Sequence, residues 1–195
     1  MDTTDFASTQ GDSPVASERS EHERSAHVRI CFMASGGGHF HELCALADLA
    51  KAYDHILVST ELNKAVREMC PFQRIYLLGE VGQGQWKKHP GELPRVLWRI
   101  LRILLQERPH LVISTGAGIA VPGFLMAKLL GIRTIFVESY ARVESLSLAG
   151  RICYHLSNLF LVQHAGLAHQ RSRAVYVGSL STYMDADSHG VCDRR

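Results

Sequence analysis

The sequence predicts an α/β fold: a Rossmann-like parallel sheet with helices on both faces. Three observations predict it. After residue 27, short apolar runs of strand length alternate with longer segments of helical character. The runs lack a strict period of two, as strands buried on both faces do. Glycine- and hydroxyl-rich stretches follow several of them directly, where open α/β sheets bind their ligands.

Residues 1–27 come first. They hold six acidic and two basic side chains and are rich in serine. They have neither a basic leader nor an apolar core, so they read as a disordered acidic tail and not as a secretory signal. The pattern then predicts a strand over Val28–Met33, a helix over Glu42–Tyr53 and a strand over His55–Ser59. A short helix over Asn63–Met69 and a strand over Arg74–Leu78 follow. Gly79–Gly91, with four glycines, reads as a loop. Pro94–Glu107 is a long helix with proline in its first turn. Next come a strand at Leu111–Ser114, a helix at Val121–Leu130 stopped by Gly131, and a strand at Thr134–Glu138. A helix over Leu146–Ser157 and strands at Leu159–Gln163 and Ala174–Val177 complete a domain of residues 28–182. Residues 183–195 form a tail.

The chain has 195 residues, 46% hydrophobic and 21% charged, which suits one globular domain. Five scattered cysteines with no C-x-x-C pair suggest neither a disulfide framework nor a zinc ribbon, and fit a reducing compartment. The tail carries a net −4, which leaves +6 on the rest of a chain whose total is +2. That bias suits phosphate-bearing ligands or an anionic membrane surface, and is too weak to argue for nucleic acid. No run of about 18 uncharged apolar residues occurs, which argues against a spanning helix.

Three loops carry the candidate chemistry. Ser35, Gly36, Gly37, Gly38 and His39 follow the first strand. Bare glycines let backbone amides approach an anion, so this loop reads either as a phosphate or pyrophosphate cradle or as a tight turn without ligand. Its spacing is not that of a dinucleotide fingerprint. The second loop runs from Ser114 through Thr115, Gly116, Ala117 and Gly118 to Pro122. It suits a phosphate or a sugar, and equally a close helix–sheet turn. The third holds Glu138, Ser139, Tyr140 and Arg142. Glu138 is a candidate for sugar hydroxyls and Arg142 for phosphate; a structural Glu138–Arg142 pair is the alternative. His39 is the candidate general base. With His41 it makes an H-x-H pattern, but no third ligand stands at a recognisable spacing, so no metal is expected. No cofactor is expected either.

On the long helix Arg95, Arg99 and Arg102 fall at i, i+4 and i+7, with Trp98 and aliphatic residues around them. This composition suits a membrane-facing helix, or else an amphipathic helix packed on the sheet.

Taken together, ASGGGHFHEL, PHLVISTGAGIAVP, IFVESYARVESLSLAGRICYHLSNLFLVQ and AVYVGSL resemble one family. It is the acceptor-side, membrane-recruiting subunit of split GT-B glycosyltransferases. Its bacterial members are of the PssD, EpsE and CpsF kind in exopolysaccharide or capsule assembly. Its eukaryotic member serves dolichol-linked oligosaccharide synthesis, and the chain also resembles the N-terminal half of MurG. The resemblance spans roughly Val28 to Leu180. Eukaryotic members usually begin with a membrane anchor, which the pattern of residues 1–27 does not lead one to expect here, and His164 stands where bacterial relatives commonly have tryptophan.

The resemblance implies the N-terminal half of a GT-B enzyme. The chain would bind a polyprenyl-pyrophosphate-linked acceptor in the three loops and form a heterodimer with a donor-binding C-terminal-half protein. That partner would hold the UDP-sugar. The chain would then contribute half a site to a hexosyltransferase, peripheral at the cytoplasmic face of a membrane. Two other readings stand beside it: a self-sufficient transferase or sugar-nucleotide enzyme acting as a homodimer, and a membrane-associated scaffold without a ligand in its loops.

Overall fold

A computed structural model describes residues 28–60, 70, 72, 74–79 and 91–180. Both expected tails, the helix expected over Asn63–Met69 and most of the Gly79–Gly91 loop lie outside the described residues.

Among the described residues the strands are β1 (Arg29–Ala34), β2 (Asp54–Ser59), β3 (Ile75–Leu77), β4 (Leu111–Ser114), β5 (Arg133–Val137), β6 (Leu159–Val162) and β7 (Ala174–Tyr176). They form one sheet in the order β3-β2-β1-β4-β5-β6-β7, parallel throughout. The chain builds outward from β1 to β3, then crosses back to start β4 on the other side of β1. This reversal makes the β1/β4 boundary the topological switch point, where α/β sheets open a crevice. The expected fold class is the observed one.

The helices are α1 (Gly38–Cys44), α2 (Ala47–Ala52), α3 (Glu92–Glu107), α4 (Ala120–Leu129), α5 (Leu148–Leu156) and α6 (Ala165–Gln170). The single helix expected over Glu42–Tyr53 is two short ones. The first begins at Gly38 and takes His39 into its opening turn. It tightens at its end, where the Leu46 amide bonds to the Leu43 carbonyl at 2.9 Å. The break lets Phe40, Leu43 and Ala50 all bury on the same sheet face. Helix α6 had no counterpart in the sequence reading.

Successive strand residues point to opposite faces. Ile30, Phe32 and Ala34 pack with Phe40, Leu43 and Phe72 on one side, under α1 and α2. Cys31, Met33, Val112 and Phe136 pack on the other with side chains of α3, α4, α5 and α6. On α3 the buried side chains are Val96, Ile100, Ile103, Leu104 and Glu107, a single stripe at helical spacing. On α4, a Cβ at Gly123 would overlap Met33 Sδ, so glycine lets this helix lie directly on β1. No helix among the described residues covers the first face over β6 and β7. There Leu159, Val175 and Val177 are 38%, 47% and 46% exposed.

At the amino ends of the strands, charges tie four elements together. Arg29 Nε donates to Asp54 at 2.6 Å and its Nη1 to the Glu107 carbonyl at 2.6 Å. Arg74 bonds to both Asp54 and Glu107, and the Tyr76 hydroxyl donates to Glu107. Glu107, at the end of α3, is thereby satisfied although buried.

A candidate functional site at the switch point

Strand register decides which loops meet. Ala34 pairs with Ser59, Met33 with Ser114, and Ser114 with Phe136. The residues that follow, Ser35–His39, Thr60, Thr115–Gly118 and Glu138–Arg142, therefore emerge along one edge of the sheet.

The first loop turns at Gly37, whose φ of 86° and ψ of −143° suit glycine alone. The first helical bond is His41 N to Gly37 O at 3.1 Å. The amides of Gly37, Gly38 and His39 precede this ladder and have no intrahelical acceptor. The Gly36 amide is engaged, donating to Thr60 Oγ1 at 3.3 Å. Among the described residues a Cβ at Gly37 or Gly38 would touch nothing within 4 Å.

His39 is bound to the second loop twice. Its Nδ1 lies 3.0 Å from the Thr115 carbonyl oxygen, and Thr115 Oγ1 donates to the His39 carbonyl at 2.6 Å. Gly116, at φ 113°, donates its amide to Ser114 Oγ at 3.2 Å. Ala117 also has positive φ, at 70°, a conformation costing a non-glycine residue on the order of 1 kcal/mol. Gly118 is buried and leads into α4. His41 is exposed, and among the described residues no group of three His, Cys, Asp or Glu side chains is placed to hold a metal.

Glu138 is 1% exposed and its carboxylate turns toward α5. Oε1 accepts the Ser139 amide at 3.2 Å, and Oε2 the Ser147 amide at 3.1 Å. Ser147 caps α5, accepting the Gly150 amide at 2.8 Å. The arrangement is a capping box whose carboxylate comes from the loop just after β5 instead of the third helical residue, which here is Gly150. Burial pushes the Glu138 carboxyl above its usual range, opposed by hydrogen bonds from Ser147 and Ser139 and by the more distant charge of Arg142. These bonds tie Glu138 to the start of α5; the alternative pair with Arg142 is not among the ion pairs of the described residues. Arg142 is exposed, held in a turn by its amide bonding to the Ser139 carbonyl at 2.9 Å.

Ser139 also points away from open solvent: its hydroxyl donates to Glu42 Oε1 at 2.8 Å, and the Tyr140 amide donates to the same oxygen at 2.9 Å. Glu42 went unrecognised in the sequence, although it stands three residues after His39 on the same short helix and clamps the first loop to the third. In the sequence His164 stands out only as a departure from relatives. Its Nε2 donates to the Tyr140 carbonyl at 2.7 Å and its ring packs 4.7 Å from the tyrosine ring, so an N–H and a flat ring are retained there. Gln163 completes the frame, donating to the Glu138 carbonyl at 3.0 Å and accepting the Leu180 amide at 2.7 Å.

Away from this edge, α3 exposes Trp98 (65%) and Leu105 (53%). Helices α4 and α5, packed in succession beside α3, expose Leu125 and Leu129, and Leu148 and Ile152. Arg102 and Arg151 are exposed on α3 and α5. The three arginines of the expected stripe differ from one another. Arg95 is paired with Glu92 at 2.8 Å, and Arg99 donates to the Leu78 carbonyl at 3.0 Å. No helix among the described residues is long and apolar enough to cross a membrane.

A family model described as oligosaccharide biosynthesis protein Alg14 like matches residues 30–180. The chain belongs to the Alg14-like family. Its curated relatives include the human UDP-N-acetylglucosamine transferase subunit ALG14, 30% identical over 179 residues that cover 78% of this chain and 83% of the human one. The mouse protein of the same name is 28% identical, with the same two coverages. Among solved structures, this Alg14-like chain resembles MurG of Acinetobacter baumannii, with a TM-score of 0.64 at 20% identity over 78% of this chain and 46% of that one. A UDP-N-acetylglucosamine 2-epimerase from Rickettsia bellii gives a TM-score of 0.64 at 17% identity over 86% and 49%. These likenesses show the fold, and the chain spans about half the length of the solved structures it matches. The family and the MurG-like half-fold expected from the motifs are thus the ones found.

Proposed function

We propose that this Alg14-like chain is the acceptor-side subunit of a two-chain UDP-sugar transferase in lipid-linked oligosaccharide biosynthesis. The observation that carries the proposal is a contrast of lengths. The chain covers most of a named transferase subunit yet only about half of MurG and the epimerases. Half of such a fold lacks one wall of the crevice, and a donor-binding partner supplies it. The apolar sheet face over β6 and β7, which no helix among the described residues covers, supports association with another chain. The donor of the curated relatives, UDP-N-acetylglucosamine, is the first to test.

The residues divide the work. The amides of Gly37, Gly38 and His39 receive the acceptor pyrophosphate, with Arg142 adding charge from the third loop. Ser35, Thr115, Gly116 and Gly118 shape the same crevice, while Glu138 and Ser139 hold the third loop in place. In the transfer, the acceptor hydroxyl oxygen bonds to the anomeric carbon, the bond from that carbon to the UDP oxygen breaks, and the hydroxyl proton passes to His39 Nε2. The outer face of α3, α4 and α5, with Trp98, Leu105, Leu129 and Leu148 beside Arg95, Arg99, Arg102 and Arg151, lies against the cytoplasmic surface of the membrane that carries the acceptor.

Acceptor binding tests this reading. Short-chain polyprenyl-pyrophosphate-linked N-acetylglucosamine, titrated in detergent, is expected to bind the chain, and the monophosphate analogue to bind at least tenfold more weakly. Equal affinity for the two would refute the pyrophosphate cradle. The homodimeric-enzyme reading predicts transfer by the chain alone, and no observation favours it.

A further inference from the structure

The two bonds between His39 and Thr115 join residues 76 positions apart, on loops either side of the switch point. Their chemistry is asymmetric. A carbonyl oxygen can only accept, so the histidine nitrogen facing Thr115 O must carry the proton. A neutral imidazole bears one ring proton, and placing it on Nδ1 leaves the lone pair on Nε2. Among the described residues Nε2 has no hydrogen-bond partner. The second bond, from Thr115 Oγ1 to the His39 carbonyl, fixes the Thr115 backbone against the same residue whose ring it orients.

Gly116 supplies a third restraint. A Cβ there would lie 3.2 Å from both Cε1 and Nδ1 of His39, so the imidazole rests against the bare Cα of the neighbouring loop. With φ at 113°, that backbone is one few side chains adopt. The ring is thus held by one bond at Nδ1, by a bond on its own main chain and by contact along one edge.

We infer that Thr115 is a positioning residue that locks His39 in its Nδ1-protonated form, so that Nε2 presents a lone pair at the open side of the switch point. The inference rests on the reading of His39 as the proton acceptor, but the lock is a property of the chain and is measurable without acceptor or partner. It gives the hydroxyl of Thr115 a role apart from phosphate contact. It also explains why a glycine follows that threonine.

Nitrogen-15 NMR of the imidazoles in the full chain tests the lock, with the His39 signals assigned by their loss in His39→Gln. In the neutral ring, Nδ1 is expected to show the shift of a protonated ring nitrogen and Nε2 that of a bare one. Free histidine prefers the opposite tautomer, so a proton found mainly on Nε2 of His39 would overturn the inference. Thr115→Val, which keeps the shape and removes the hydroxyl, is expected to give a mixture of tautomers, and Thr115→Ser to restore the single form. An unchanged tautomer in Thr115→Val would remove the Thr115 hydroxyl from the role, the carbonyl that faces Nδ1 being present with either side chain. In the assembled transferase, Thr115→Val is expected to lower kcat about tenfold with little change in acceptor KM, and Thr115→Ser to recover most of it. A loss confined to KM would also overturn the positioning role. If the tautomer is as stated and His39→Gln retains full turnover, the lock stands and the proton-acceptor reading of His39 falls.

Discussion

A Cβ built on Gly150 would overlap Oε2 of Glu138 and come to 2.9 Å from its Cδ. The buried carboxylate occupies the place where a side chain of α5 would otherwise stand, and there it accepts the Ser147 amide at the start of the helix. Gly150→Ala is therefore expected to expel the carboxylate and leave that amide unpaired, a loss of about 2–3 kcal/mol. For a chain of this size the melting temperature falls by about 4–12 °C, measured by circular dichroism. An unchanged melting temperature would contradict the shared-space relationship.

Two carboxylates predict opposite pH effects. Burial raises Glu138, and the hydrogen bonds to its charged form do not fully offset this. The folded chain then binds that proton more readily than the unfolded one, so its contribution to stability grows as pH falls toward the carboxylate range and shrinks as pH rises through the folded pKa. Asp54 behaves inversely. Burial alone would raise it, but hydrogen bonds and charges of Arg29 and Arg74 together outweigh burial and hold it low. Its contribution is present above the unfolded value, about 4, and is lost as pH falls through the folded pKa. Asp54→Asn is expected to flatten the acid side of a melting-temperature profile. Glu138→Gln is expected to steepen the net loss on acidification, since it removes the opposing group. Parallel profiles for the two variants would contradict both assignments.

Gly38 separates folding from ligand binding. A Cβ there meets nothing, and its φ is not in the left-handed region. Gly38→Ala is therefore expected to leave stability unchanged or raise it by up to about 1 kcal/mol. If the amides of this turn hold the acceptor pyrophosphate, the added methyl crowds it, and acceptor KM rises about tenfold or more. Gly37→Val differs, because its backbone conformation strains any side chain, so both stability and activity fall. Gly38→Ala with wild-type KM would argue for a turn without a ligand.

The helical outer face predicts graded membrane binding. Removing one arginine near an anionic surface costs about 1 kcal/mol, a fivefold loss of partitioning. Arg102→Gln is expected to lose about that much on vesicles containing anionic lipid and nothing on neutral ones. Trp98→Ala is expected to weaken binding on both. Sedimentation with extruded vesicles distinguishes these patterns, and equal binding by all variants would remove α3 from the membrane.

The order of strands and helices was legible because apolar runs of four to six residues, bounded by glycine, proline or polar residues, repeat along the chain. The break between α1 and α2 was not, because ELCALADLAKAY is helix-favouring throughout and only packing of Phe40, Leu43 and Ala50 on one face divides it. The three loops were found from their composition, and the sheet register brings them to one edge. Their internal wiring was hidden, since it depends on which way side chains turn. Glu138 points to α5 because Gly150 leaves room, and Ser139 points to Glu42; neither choice leaves a mark in local sequence. The His39–Thr115 bonds link residues far apart in the chain, and no spacing rule reaches across them.

Partner-dependent transfer is the most direct measurement of the two-chain reading. Membranes, polyprenyl-pyrophosphate-linked N-acetylglucosamine and radiolabelled UDP-N-acetylglucosamine are incubated with this chain, with a donor-binding half-length partner, and with both. Extension of the lipid-linked sugar only when both are present is the expected result. Transfer by this chain alone would contradict the half-site assignment, and transfer by the partner alone at the same rate would remove the acceptor role from the loops at the switch point.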